Sequence, residues 1–287
     1  MSAVWFNGQL VEGELALDPR DRGLLLGDGV FETIAVFNGH PVWLDEHVAR
    51  MQKAASVLGL NIKSGMISDA IQEISDGQSG VLRITVTRGP MARGLGSMGE
   101  TQCNLMVSFS AWTKGTLFAP VRLITSSVRR NPYSISSQHK TLSYVDNIFA
   151  AREASVQSAD DALMLNTHGR IACSTIANIC ILEGNTLTTP LDSTEGVLQG
   201  ITIAKTFGHP ARELNLAPSG SHIEADRVYK ADGVFLTNSL RLIRPVTELD
   251  GRPLSQVGAP TIDRLFDLLC RQIEKEAGVD PRTVDTV

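Results

Sequence analysis

Apolar and polar positions alternate early in the chain. In VLRITVTRG, Leu82, Ile84 and Val86 alternate with Arg83, Thr85 and Thr87, a period of two that predicts a half-buried strand. NLMVSFS, residues 104–110, reads as its antiparallel partner across a glycine-rich loop. VWFNGQLVE and FETIAVFNGHPVW read as hairpin material, with Asn7-Gly8 and Asn38-Gly39 as turn signals. The period then changes. Residues 45–60 set Val48, Met51, Ala55 and Leu58 on one helical stripe, with Asp45 as a candidate N-cap and Gly59 as a stop. In NPYSISSQHKTLSYVDNIFAAREA, residues 131–154, Val145, Ile148, Phe149 and Ala151 recur at helical spacing after a polar run. Helices are expected near 142–156, 200–208 and 260–277, the last carrying an apolar stripe of Ile262, Leu265, Phe266, Leu269 and Ile273.

Between the two series, AWTKGTLFAP is polar and contains Gly and Pro. The expected division is therefore a small N-terminal α/β domain over 1–112, a linker over 113–120 and a larger domain over 121–287. No repeat or low-complexity tract interrupts this mixed α/β pattern.

The totals change the picture by exclusion. A net charge of −5 lacks the basic footprint of a nucleic-acid binder. No apolar stretch approaches the ~18 residues of a membrane span. MSAVWFNGQLVEGE carries no basic segment followed by an apolar run, so no secretory signal is expected. Cys103, Cys173, Cys180 and Cys270 form no CxxC pair, which points to reduced thiols in the cytoplasm. Several motifs fail. Gly94, Gly96 and Gly99 match GxGxxG but lead into a strand, whereas a dinucleotide fold needs a helix there. The six histidines show no ligand spacing, so no metal is expected.

Lys140 is then a solvated charge or a nucleophile, and its neighbours do not decide between them. A reactive amine can form a Schiff base with a carbonyl cofactor such as pyridoxal 5'-phosphate, which also needs phosphate donors and a partner for its ring nitrogen. Two stretches offer anion donors. GVLQGITIAKTF opens a helix at Gly200-Ile201-Thr202, and Arg50 sits off the apolar stripe of its helix. Each has an ordinary structural explanation when taken alone.

Together, DRGLLLGDGVFETI, EHVARM, KTLSYVDNIFAAREA, DALMLNTHGRIACSTIAN, QGIT and FLTNSLRLIRPV make the chain resemble the class IV pyridoxal-phosphate aminotransferases. That group contains branched-chain aminotransferase, D-amino-acid aminotransferase and 4-amino-4-deoxychorismate lyase. The stretches occur in the family's order along nearly the whole chain. The resemblance implies fold type IV, with a barrel-like sheet in the larger domain, and a homodimer. It implies Lys140 as the Schiff-base lysine and proton carrier. Arg50, Ile201, Thr202 and Ser239 would bind the phosphate, with Tyr144 near the phenolic oxygen and Asn178 also at the cofactor. Thr33, Arg88, Arg93, Asn238 and Arg241 would face the substrate, an amino acid or dicarboxylate.

The chain departs from the family at Cys173, five residues before Asn178, where the family usually carries the glutamate that pairs with the ring nitrogen. Asp161 and Glu183 lie too far along the chain to replace it without a different loop path. Ile203 and Ser143 also replace the family's usual Arg and Asn. Cys173 is a neutral partner, a thiolate, or the mark of a degraded site that binds cofactor without turnover. The arginines lean toward the lyase branch, which eliminates pyruvate to form p-aminobenzoate. The alternative is a transaminase of L- or D-amino acids with a 2-oxo-acid acceptor.

Overall fold

The computed structural model describes residues 3–62, 64–75, 77–96, 102–112 and 117–284. Residues 113–116 of the expected linker, and Gly99 of the glycine motif, lie outside them. The described chain forms two compact units. Unit 1 takes its residues from 1–113, 139–143 and 273–284; unit 2 takes 117–138 and 144–272. The Lys140 segment, expected in the larger domain, thus belongs to unit 1.

Unit 1 is built on an antiparallel sheet. Its strands are β1 (Val4–Phe6), β2 (Gln9–Val11), β3 (Gly29–Phe37), β4 (His40–Pro41), β5 (Gly80–Thr87) and β6 (Asn104–Ala111), in the order β2-β1-β6-β5-β3-β4. Both Asn-Gly turns have positive φ at each residue, 50° and 98° at Asn7-Gly8 and 52° and 74° at Asn38-Gly39, as a type I′ hairpin requires. Helix α1 (Arg22–Leu26) is capped by the buried Asp21 side chain. Helix α2 (Leu44–Leu58) begins after Trp43, so Asp45 lies in its first turn rather than at the cap. Gly59 ends it at φ 65°. With α3 (Ser64–Ile74), α2 contributes Met51, Ala54, Ala55, Ile67 and Ala70 to a core shared with Val30, Ile34, Val36, Leu82, Ile84 and Val86.

Unit 2 holds a curled, nine-stranded half-barrel sheet. Its strands are β7 (Val121–Arg130), β8 (Asp161–Asn166), β9 (Ile171–Ser174), β10 (Asn178–Glu183), β11 (Thr186–Pro190), β12 (Ala217–Ser221), β13 (Gly233–Asn238), β14 (Leu242–Leu249) and β15 (Arg252–Pro253). The order is β12-β11-β10-β13-β14-β7-β8-β9, with β15 on β14. The helices are α4 (Ile135–Gln138), α5 (Val145–Val156), α6 (Asp192–Glu195), α7 (Ile201–Phe207), α8 (His209–Glu213) and α9 (Ala225–Lys230), and α10 (Ala259–Ala277) has its residues 259–272 in unit 2 and 273–277 in unit 1. In α10 the expected stripe is buried throughout. Helix α5 reverses expectation: Ala150 and Ala154 face the core, while Val145, Ile148 and Phe149 are 63%, 48% and 55% exposed. Small alanines let this helix lie close to β7 and β8, leaving the bulky apolar side chains outside.

Candidate active site

In unit 1, β4 pairs with only the far end of β3, and residues 140–142 pair with the near end. Phe31 N–H donates to the Lys140 carbonyl and Leu142 N–H to that of Gly29, each at 3.0 Å. A Cβ at Gly29 would run into Leu142 and the Val86 carbonyl, so glycine permits this approach. The antiparallel pairing sets Lys140 opposite Phe31 on one face. Lys140 Nζ lies 4.4 Å from the centroid of the Phe31 ring, and the Arg83 guanidinium carbon 4.1 Å from that same ring. Thr33 is the cross-strand partner of Arg83. Burial lowers the Lys140 amine from 10.5 to about 8; Glu32 opposes the shift, while Arg50 and Arg83 add to it. At pH 7 such an amine is roughly a tenth neutral, against a few parts in ten thousand at its ordinary value. That is the condition of a usable nucleophile.

The other face of β3 carries Glu32 in line with Val30, Ile34 and Val36, packed toward α2. Glu32 is fully buried. Helix α2 brings His47 and Arg50 to it, three residues apart on one side. His47 Nδ1 lies 2.7 Å from Glu32 Oε2, and Arg50 makes a fork, Nε to Oε1 at 2.7 Å and Nη2 to Oε2 at 2.8 Å. Burial would raise the Glu32 carboxyl, but the hydrogen bonds from His47 and Arg50 outweigh it and hold it at about 2. Burial pushes His47 down, so neutral His47 donates Nδ1–H to the carboxylate. Its buried Nε2 has no partner among the described residues. Glu32, His47 and Arg83 had escaped the sequence reading. The usable signal was a glutamate standing in the apolar line of VFETIAVF.

Arg88, expected at the substrate, is engaged elsewhere. It donates to Asp28 through Nε (2.8 Å) and Nη2 (3.1 Å), and to the Leu58 and Gly59 carbonyls that end α2. Arg22 holds the same carboxylate at 2.8 Å. Against burial, these two cations keep the Asp28 carboxyl below its usual range. Arg88 therefore ties β5 to a helix terminus. Arg93 is exposed in the loop after β5.

In unit 2, Cys173 sits on β9 opposite Met164 and packs with Ala172 and Val197. Burial pushes its thiol up; Arg130 opposes this and Asp161 adds to it. Cys173 is thus a neutral thiol at pH 7, not a thiolate. Buried Arg130 donates to the carbonyls of Gly196 (3.0 Å) and Ser137 (2.8 Å). Asp161, which chain distance seemed to remove, is close enough for its charge to act on Cys173, because β8 and β9 are paired neighbours. Its carboxylate accepts from Thr175 Oγ1 and from the Ala162 N–H. Glu183 pairs with Arg227 instead.

Asn178 donates to the Leu198 carbonyl at 2.9 Å, and a Cβ at Gly200 would collide with its side-chain oxygen. Helix α7 then begins at Ile201. The Thr202 hydroxyl and that of Thr237, the cross-strand partner of Asn178, are buried without partners among the described residues. Orphaned buried hydroxyls are costly unless a polar ligand or water meets them. Ser239 is half-buried in the β13–β14 turn. Asn238, expected at the substrate, shapes that turn, its Oδ1 accepting from the N–H groups of Leu240 (3.1 Å) and Arg241 (2.8 Å). Arg241 lines a small cleft with Asp161, Asn238 and Arg244. Tyr144 is half-buried at the start of α5.

The family model described as amino-transferase class IV matches residues 29–249. The chain belongs to that family. Among its relatives, a D-alanine aminotransferase of Bacillus licheniformis is 28% identical over 271 residues, 90% of this chain and 91% of its own. An aminodeoxychorismate lyase of Bacillus subtilis (strain 168) is 26% identical over 256 residues, 86% of each chain. The solved branched-chain aminotransferase of Thermoproteus uzoniensis with norvaline superposes with a TM-score of 0.85 at 26% identity, covering 97% of this chain and 98% of that one. The fold is accordingly that of the fold-type IV enzymes, and the family's cofactor is pyridoxal 5'-phosphate. Within unit 1 the partly neutral Lys140 amine suits such a group, and within unit 2 the buried Thr202 hydroxyl, without a partner among the described residues, is a donor such a group can use; Cys173 departs from the usual glutamate. Among the described residues, no cluster of His, Cys, Asp or Glu could hold a metal, and no helix is long and apolar enough to cross a membrane.

Proposed function

We propose that this class IV enzyme is a lyase, eliminating pyruvate from 4-amino-4-deoxychorismate to leave p-aminobenzoate. The observation that carries this is the buried, neutral Cys173 thiol. The cofactor supplies an electron-poor ring that shares the charge left on the substrate carbon after proton loss. A carboxylate at position 173 would favour a protonated ring nitrogen strongly, and a thiol does so far less. Reversible transamination depends heavily on that protonation. Elimination to an aromatic product depends on it less, because aromatic stability itself favours the products.

In this reading Lys140 takes and returns the substrate α-proton, and its lowered pKa matches that task near neutral pH. Arg50, Ile201, Thr202 and Ser239 bind the phosphate; Tyr144 and Asn178 complete the cofactor's surroundings. Thr33, Arg83 and Arg241 face the substrate, and the two arginines suit a dicarboxylate. Arg93, Arg88 and Asn238 are left out, the first for its exposed loop position and the others for their engaged hydrogen-bonding groups.

A transaminase is the second reading, favoured by the likeness to D-alanine and branched-chain aminotransferases. The test is direct. Holoprotein is incubated with aminodeoxychorismate, and p-aminobenzoate and pyruvate are followed. Parallel incubations use L-leucine, L-glutamate or D-alanine with a 2-oxo acid. Equimolar p-aminobenzoate and pyruvate support the lyase; keto-acid formation without them supports the transaminase. Bound cofactor with neither product marks a site that has lost turnover.

The same reading includes a homodimer, supported by exposed Leu24, Leu25 and Leu26 on α1 and Val145, Ile148 and Phe149 on α5. It also includes a cytoplasmic location, where four free thiols are stable.

A further inference from the structure

Within unit 2, residues 196–200 join α6 to α7, and protein groups hold this connector at successive points. Glu195, immediately before it, is fully buried. Its Oε2 accepts from Asn166 Nδ2 at 2.6 Å and from Arg170 Nε at 2.9 Å. Its Oε1 accepts from Thr194 Oγ1 at 3.1 Å and lies 2.5 Å from His222 Nδ1. These partners come from the β8–β9 hairpin, the end of α6 and the residue after β12. Asn166 is itself fixed, because its Oδ1 accepts from the N–H groups of His168 and Arg170. Burial alone would raise the Glu195 carboxyl, but these donors outweigh it and hold it below its usual range. Further along, the Gly196 carbonyl accepts from buried Arg130 at 3.0 Å. A Cβ on Gly196, at φ 68°, would come within 2.5 Å of Pro132 Cα. The Leu198 carbonyl accepts from Asn178, whose side-chain oxygen also leaves no room for a Cβ at Gly200. Between these points, Val197 packs with Cys173 and Ala172.

We propose that Glu195 is a positioning residue: by clamping the start of the connector it seats Val197 against Cys173 and sets where Thr202 presents its hydroxyl. The second task rests on the reading of Thr202 as a phosphate ligand. Moving Glu195 out of the clamp strands an ionised carboxylate, or the donors around it, in the protein interior. The connector therefore has one low-energy path. Arg130 and Asn178 then fix its backbone at Gly196 and Leu198, and Gly200 delivers the chain to Thr202 two residues on.

The first task is read from thiol accessibility. Full-chain protein is labelled with N-ethylmaleimide under native conditions, and each cysteine is followed by peptide mass spectrometry. Cys173, Cys180 and Cys270 are all buried, so the last two report general loosening. Glu195→Gln sets an amide N–H against the Asn166 and Arg170 donors and can fail to fold. Arg170→Met is the milder variant, removing one partner at a side chain only 25% exposed; Arg170→Lys keeps a donor there. Labelling of Cys173 should rise by roughly 10-fold or more in Arg170→Met, with Cys180 and Cys270 unchanged. It should return toward the wild type in Arg170→Lys. An unchanged Cys173, or all three cysteines rising together, overturns the proposal. The second task is read by equilibrium dialysis with pyridoxal 5'-phosphate and, separately, with pyridoxal. The wild type should prefer the phosphorylated compound, and Arg170→Met should lose several-fold of that preference while binding pyridoxal as before. A preference kept in full would overturn the positioning of Thr202. A wild type with no preference would instead overturn the phosphate reading itself, and the Cys173 labelling would still decide the clamp. Neither measurement involves turnover, so the choice between lyase and transaminase does not enter.

Discussion

Phe31 holds Lys140 at both ends: its backbone N–H binds the lysine carbonyl at 3.0 Å, and its ring lies 4.4 Å from the ammonium. The first contact is backbone and survives mutation; the second is not. Phe31→Leu should keep the fold and lower kcat/KM by roughly 10-fold, the loss of about 1–2 kcal/mol of orienting contact. Lys140→Ala should lower it by roughly 1,000-fold or more and remove the long-wavelength absorbance of the holoprotein. Steady-state kinetics and a visible spectrum check both.

Arg88 divides a binding role from a structural one. Arg88→Ala strands the Asp28 carboxylate, with Arg22 as its remaining partner, and uncaps the end of α2. We expect a loss of about 2–3 kcal/mol in urea unfolding, with KM unchanged in the folded enzyme. An Arg88→Ala enzyme of normal stability and raised KM would return Arg88 to the substrate.

Position 173 tests the choice of chemistry. Cys173→Glu should increase transamination of amino acids at least 10-fold and leave p-aminobenzoate formation within a few-fold of the wild type. Rapid transamination by the wild type, unchanged in Cys173→Ala, would instead show that the ring nitrogen is served by another group.

Glu32 makes stability depend on acid. Its carboxyl falls from 4.5 in the unfolded chain to about 2 in the fold. A depressed pKa contributes stability that is fully present above 4.5 and lost as pH falls toward 2, about 3 kcal/mol in all. Urea midpoints at pH 7, 4.5 and 3 should decline more steeply in the wild type than in Glu32→Gln.

The outer face of α5 predicts an assembly. Phe149→Asp, at a position 55% exposed in the single chain, should shift a dimer toward monomer in light scattering with little change in helicity. Unchanged mass would place the contact elsewhere, with the α1 leucines as the next to be tested.

Much of this protein is local and therefore legible in the chain. The Asn7-Gly8 and Asn38-Gly39 turns, the alternation of β5 and the stripe of α10 each depend on neighbours a few residues away, and each appears where its pattern predicts. The lysine and the family's ordered stretches were legible for the same reason. The partnerships of charged groups were not. Arg88 and Asp28 are 60 residues apart, and Glu32 and Arg50 meet only when α2 lies across β3. The exposed stripe of α5 also had to await the sheet beneath it, because alanine and phenylalanine both fit a helical period and only packing distance decides which turns inward. Residue types and spacings determined which groups the protein possesses. The tertiary structure decided which of them are charged, because burial and the nearest opposite charge set each proton's free energy, and both depend on the folded chain.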